Sequence, residues 1–161
     1  MAAIGRIARS PVRVYFTGGT TAVLYGWRNS TIDIDLRFEP VCDEVFRALP
    51  ELKERLSINI ELASPSDLIP PLPGWEDRSQ HTARQGKVGF YHYDPYSQAL
   101  AKIERGHDQD INDVKEMIRR GLVEVPRMLT FFENISPLLY RYPAIDPASF
   151  AEAVIQIAAD R

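Results

Sequence analysis

Apolar and polar residues alternate in two short stretches, and these set the reading of the first half of the chain. Ile32, Ile34 and Leu36 alternate with Asp33, Asp35 and Arg37, and Ile58, Ile60 and Leu62 alternate with Asn59 and Glu61. A period of two sends successive side chains to opposite faces, so both stretches are predicted as half-buried strands with their apolar residues inward. Residues 12–16 form a β-prone run that predicts the first strand, with no helix ahead of it. Residues 80–84 and 87–93, turned at Gln85-Gly86, predict a β-hairpin. Between these runs the pattern predicts a helix over about 21–25, capped by Thr20 and ended by Gly26. A second helix is predicted over about 43–55, with Asp43 as its cap and Val45, Leu49 and Leu52 inward. Residues 64–75 hold four prolines and predict an irregular connector, with one turn of helix at 65–68.

From residue 95 onward the period is helical. Over 95–104, Tyr96, Leu100 and Ile103 share one side, while Gln98, Lys102 and Arg105 share another, most simply a solvated one. Gly106-His107 breaks the chain, and Asp108 is predicted to cap a helix ending near Gly121. Ile111, Val114 and Ile118 are its expected core positions, with Asp110 and Asp113 as neighbours on one side. Residues 122–142 and 147–159 predict further helices, the last sealing a core with Phe150, Val154 and Ile157. Together these elements predict an α+β protein. A mixed sheet of about five strands with helices on one face occupies residues 1–94, and a helical part packed on that core follows over 95–161.

Composition narrows the function classes. The chain has 161 residues, 45% hydrophobic and 25% charged, enough to bury one real core with a small helical appendage. A net charge of −3 argues against a dedicated coat of Lys and Arg for nucleic acid, so a nucleic-acid-binding module is the least favoured class. The single cysteine, Cys42, excludes an intramolecular disulfide and a Cys-rich zinc site, and is expected to fill space near a helix start. No apolar run reaches the roughly 18 residues a membrane span needs, and the first ten residues offer no signal peptide, so a soluble cytoplasmic protein without a membrane partner is expected. His92 has no nearby His or Cys and is expected to be a surface or packing residue rather than a metal ligand.

The candidate chemistry lies in the strands. Asp33 and Asp35 project from one face, about 6–7 Å apart at Cα by strand rise. Two such carboxylates repel unless a cation stands between them, and Mg²⁺ or Mn²⁺ takes this kind of oxygen ligand. The plainer alternative makes Asp-x-Asp the solvated face of an edge strand. If the strand bearing Glu61 lies beside that of Asp33, with its apolar side on the same helices, Glu61 emerges with the two aspartates. Upstream, Gly18-Gly19 allows a tight turn and close approach of a ligand, and the helix start at Thr20 offers N–H groups to an anion. Gly18, Gly19 and Thr20 are therefore candidates to cradle the β- and γ-phosphates of an NTP, with Arg28 and Lys102 as further phosphate partners. Nucleotidyl transfer needs metal ions, phosphate donors and an activated hydroxyl. Asp33, Asp35 and Glu61 can supply a two-metal site, with Glu61 or its metal as the base.

Gly18-Gly19, thirteen residues, Asp33-Ile34-Asp35-Leu36 and then the strand carboxylate Glu61 resemble the signature of the DNA polymerase β-like nucleotidyltransferase superfamily. The stretch from Arg28 to Asp35 is similar to the Arg-x-Thr-x-Asp-x-Asp of small bacterial nucleotidyltransferases of the abortive-infection toxin type, with one extra residue between Arg28 and Thr31. Lys102, Arg105, Asp110 and Asp113 loosely resemble their helical Lys-x-x-x-Arg segment and its following acids. The likeness covers about residues 15–121. It implies a nucleotidyltransferase fold and Mg²⁺-dependent transfer of a nucleoside monophosphate from an NTP to a hydroxyl. It also implies that Arg28, Ser30, Thr31, Lys102, Arg105 and Asp110 join the diglycine at the nucleotide. In the toxin branch the acceptor is tRNA and an antitoxin is the partner; in other branches the acceptor is a small molecule or a protein. Gly19 stands where such proteins often place a phosphate-contacting serine, leaving the backbone and Thr20 to bind. The competing function is a non-catalytic member of the same fold that binds a nucleotide or a partner protein, as an antitoxin or regulator. The intact acid set favours the enzyme.

Overall fold

A computed structural model describes residues 1–160. The chain groups into two compact units, Met1–Ser64 with Ser79–Tyr93, and Pro65–Arg78 with the chain from Asp94 onward.

The first unit is built on a five-stranded mixed sheet. Its elements are α1 (Ala2–Ile7), β1 (Val12–Thr17), α2 (Gly18–Leu24), β2 (Asp33–Glu39), α3 (Asp43–Leu56), β3 (Asn59–Leu62), β4 (Gln80–Gln85) and β5 (Val88–His92), with strand order β3-β2-β1-β5-β4. β1 runs antiparallel to β2 and parallel to β5, β2 runs parallel to β3, and β4 and β5 close the predicted hairpin with an irregularity between His81 and Ala83. Val12, Val14, Phe16, Leu36, Phe38, Ile60, Val88 and Phe90 form one face of the sheet's core, packed with Ile4 and Ala8 and with Val45, Leu49 and Leu52 of α3. These strand positions are all even-numbered, so the odd-numbered residues of β1, β2 and β3 go to the other face.

Several local expectations are corrected. A helix does precede the first strand. α1 has six residues and contains Gly5, too short to show a helical period, and contacts rather than propensity hold it. A Cβ on Gly5 would stand 2.8 Å from the Gln85 carbonyl oxygen, so glycine permits that close packing. Strand β2 begins at Asp33, and Ile32 is 90% exposed rather than part of an inner face. β3 begins only at Asn59, because Ser57 ends α3 in a left-handed conformation with φ 51°; its Leu62 is exposed. Cys42, not Asp43, is the N-cap residue of α3 and makes no capping side-chain bond; it is buried at the helix start as expected.

The second unit holds a 3-10 turn (Pro65–Asp67), α4 (Trp75–Arg78), α5 (Pro95–Arg105), α6 (Asp108–Arg119), α7 (Val125–Ile135), a second 3-10 segment (Ser136–Arg141) and α8 (Pro147–Ala159). The short helix at Trp75–Arg78 was not legible in the connector. Asp94 caps α5 by accepting from the Tyr96 and Ser97 N–H groups, and its buried carboxylate takes the Arg78 guanidinium at 3.0 and 2.8 Å. Arg78 also lies 4.1 Å over the Phe131 ring. The connector is thereby pinned to the helices at its far end. α6 starts after His107, and Asp108 makes no cap. Its buried apolar residues are Val114 and Met117, while Ile111 and Ile118 are half-buried. α8 buries Phe150, Val154 and Ile157 as predicted. Among the described residues no helix is long and apolar enough to cross a membrane.

Candidate active site

Three neighbouring strands place the acid set. Asp35 pairs with Thr17 across the antiparallel ladder and with Glu61 across the parallel one, so Thr17, Asp35 and Glu61 stand side by side on the face turned away from α3. Asp33, two residues earlier on that face, pairs with Asn59. All three carboxylates therefore leave one face of two adjacent strands, as the alternation required.

Asn59 is a member of this face that sequence reasoning did not single out. Its Nδ2 donates to Asp33 Oδ1 at 2.5 Å and to Glu61 Oε1 at 3.3 Å, so one amide is shared between two carboxylates. The signal was available, because the same alternation that aims Glu61 also aims Asn59.

The turn out of β1 closes the site from the other side. α2 starts directly at Gly18, with Thr17 as its N-cap residue, so the two glycines lie inside the first turn rather than before it. Gly18 has φ +58°, and a Cβ there would collide with Asp35 Oδ2. A Cβ on Gly19 would collide with Thr31 Oγ1 and stand 3.3 Å from Arg28 Nη1. Asp35, Thr31 and Arg28 thus close on the diglycine turn at a distance only glycine allows. Thr20 does not cap the helix. Its Oγ1 donates to the Asp33 carbonyl at 3.4 Å and accepts from the Asp35 N–H at 3.2 Å, tying α2 to the strand that carries both aspartates. Thr31 Oγ1 donates to the same Asp33 carbonyl at 3.1 Å. Ser30 is exposed in the loop beside it.

The donor chemistry suits a hard divalent cation, since every candidate ligand is a carboxylate oxygen on one face. Among the described residues no three acidic, His or Cys side chains gather closely enough to enclose an ion. Asp33 and Glu61 converge on the Asn59 amide, whose polar hydrogens stand as a weak positive centre between them. Asn59 and Glu61 are both exposed.

Lys102, Arg105 and Asp110 come together with one another in the second unit. Lys102 is 5% exposed, not part of a solvated helix face, and its Nζ donates to Asp110 Oδ1 at 3.0 Å and Asp113 Oδ2 at 2.6 Å. Arg105 grips Asp110 in two-point fashion at 3.0 and 2.6 Å. Burial pushes the Asp110 carboxyl up, but the bonds and charges of Arg105 and Lys102 outweigh it and hold the group below its usual range. His92 is a packing residue: it is buried, its ring stacks on Tyr25 at 4.2 Å, and burial lowers its pKa to about 4.

An antiparallel strand pair turned through a diglycine helix start, with an acid pair on the second strand and a third carboxylate on the parallel strand beside it, defines a nucleotidyltransferase fold. Residues 8–149 match the family described as nucleotidyltransferase of unknown function (DUF6036), and the chain belongs to that family. No curated protein and no solved structure matches it.

Proposed function

We propose that this chain is a divalent-metal-dependent nucleotidyltransferase, moving a nucleoside monophosphate from an NTP to a hydroxyl acceptor. The observation that carries the reading is the register of Asp35 with Glu61 on one face, closed by the glycine turn of α2. Asp33, Asp35 and Glu61 would hold Mg²⁺ or Mn²⁺, which when bound neutralises phosphate charge and acidifies the acceptor hydroxyl. Glu61 is exposed and accepts the hydroxyl proton at a carboxylate oxygen. The backbone at Gly18 and Gly19 approaches the triphosphate closely, and Thr20 contributes its N–H, since its hydroxyl is engaged with β2. Arg28 brings positive charge to the same turn, with Ser30 and Thr31 beside it. Within the Lys102 cluster, in the second unit, the ammonium is already matched by two carboxylates, while Arg105 keeps 44% of its side chain exposed.

The likeness of the Arg28–Asp35 stretch to abortive-infection toxins extends the proposal to the toxin half of a toxin–antitoxin pair in a reducing cytoplasm, with tRNA as the acceptor to try first. A second reading has its own observation. Asn59 shares its amide between Asp33 and Glu61, a link that a non-catalytic nucleotide- or partner-binding member would keep. One experiment separates them. Each labelled NTP is incubated with Mg²⁺ and with cellular RNA, cellular protein or small hydroxyl compounds, using wild type, Asp33→Asn and Asp35→Asn. Transfer that disappears in both variants supports the enzyme, whereas nucleotide binding without transfer in wild type overturns it.

A further inference from the structure

We propose that Tyr25 and Trp27 are positioning residues for the nucleotide: their stacked rings fix the turn at the end of α2 from which Arg28 reaches the diglycine. The proposal rests on the nucleotidyltransferase reading above and names what holds the cation of that site in place.

The end of α2 is closed first by its own backbone. Tyr25 is the C-cap residue, and Gly26 follows with φ +81°, a left-handed conformation that a Cβ would strain. The Gly26 N–H donates to the Val23 carbonyl at 3.0 Å and the Trp27 N–H to the Ala22 carbonyl at 3.1 Å, the paired bonds of a Schellman turn. The Arg28 N–H donates to the same Ala22 carbonyl at 3.3 Å. Arg28 thus starts at the level of Ala22, and its side chain must cover three residues of helix, about 4.5 Å, to reach Gly19. It does so, because Nη1 stands 3.3 Å from where a Cβ on Gly19 would be. A guanidinium at the end of so long a side chain amplifies any tilt of its backbone anchor.

Rings hold that anchor to the sheet. Trp27 stacks on Tyr25 with centroids 5.6 Å apart and planes at 13°. Tyr25 stacks in turn on His92 of β5, at 4.2 Å and 23°, and its hydroxyl donates to Gln80 Oε1 of β4 at 2.6 Å. His92 is buried, and its Nδ1 has no hydrogen-bond partner among the described residues, so packing keeps this ring in place rather than a bond at that nitrogen. One end of the stack is therefore rooted in the sheet, and the other is the residue just before Arg28. A Cβ on Gly26 would meet nothing within 4 Å, so the turn gains no lateral support at that residue.

A Schellman turn ends a helix without aromatic help. What two stacked, half-buried rings add is stiffness in the one segment that carries a cation to the glycines. A guanidinium already aimed at the triphosphate leaves less ordering to be done on binding. Loosening the stack should therefore weaken NTP binding and leave the chemical step of the bound complex alone, which raises KM at constant kcat.

The test is a double-mutant cycle on the full chain. Calorimetry gives the Kd for non-hydrolysable NTPs with Mg²⁺, and label transfer gives KM and kcat. Trp27→Leu is expected to raise Kd about tenfold with kcat within about twofold of wild type, and Trp27→Phe, which keeps a ring, to stay within about twofold in both. In an Arg28→Ala background Trp27→Leu should cost less than about twofold, because the group it positions is gone. Additive losses overturn the proposal, as does a kcat that falls at unchanged KM; wild-type transfer then still upholds the transferase reading. Should Trp27→Leu fail to fold, Gly26→Ala enters the same cycle, since it strains the turn and removes no ring. Its coupling to Arg28→Ala supports the positioning role, and additivity overturns it. Coupled binding losses with no transfer to any acceptor defeat the transferase reading and keep the positioning role. A wild-type chain that binds no NTP overturns both.

Discussion

Asp35 and Glu61 are register partners in the parallel ladder between β2 and β3, two carboxylates held directly across from each other. Like charges so placed destabilise a sheet, and the Asn59 amide bridges Glu61 to Asp33 on the same face. On the proposed reading, a cation at this face offsets that repulsion.

Asp35→Asn keeps the shape of the side chain and removes the charge. Loss of several kcal/mol of transition-state charge stabilisation corresponds to a drop in transfer of roughly a thousandfold, at about 1.4 kcal/mol per tenfold. The measurement is single-turnover label transfer, with circular dichroism to confirm the fold; a variant that retains transfer would remove Asp35 from the site.

Chelation of divalent ions is expected to abolish transfer, and added Mg²⁺ or Mn²⁺ to restore it. Because the acid pair is on a paired strand, secondary structure should persist without metal. Far-ultraviolet circular dichroism beside the transfer assay checks both halves.

Gly18→Ala should destabilise by about 1–2 kcal/mol, the cost of a left-handed conformation in a residue with a Cβ. The added methyl also meets Asp35 Oδ2, so transfer should fall further than stability alone explains. Urea denaturation and kcat, measured together, separate the two effects.

Lys102→Met leaves Asp110 and Asp113 buried without their shared ammonium, although Arg105 still holds Asp110. Breaking a buried pair from one side costs about 3–5 kcal/mol. Equilibrium unfolding should show that loss, and KM for the NTP in the surviving folded fraction should change little.

His92 gives a pH dependence with a defined sign. Its folded pKa of about 4 lies below the ordinary 6.5, so the unfolded chain takes up a proton more readily than the fold. Its contribution is intact above pH 6.5 and is lost as pH falls from 6.5 towards 4. Thermal melts across that range should be less steeply pH-dependent in His92→Gln, and an identical slope in the variant would remove His92 as the cause.

The strands were legible because alternation is a local property. Asp33, Asp35, Asn59 and Glu61 needed only the period of two to share a face once β2 and β3 were neighbours. The hairpin, α8 and the burial of Cys42 followed from equally local signals. Helix starts were less legible. Thr20, Asp43 and Asp108 have the right chemistry for caps, but none caps its helix, because each cap depends on where the preceding chain ends and what draws the side chain away. Thr20 is drawn to the backbone of β2.

By itself the sequence determined which residues share a strand face and that the chain could bury one α+β core. Only the tertiary structure decided that Glu61 stands across from Asp35, that Asn59 is shared between two acids, and that Lys102 is buried between Asp110 and Asp113. The reason is physical. Periodicity acts over a few residues along the backbone, whereas register and ion pairing are set by contacts between segments far apart in the chain, whose energies no single segment contains.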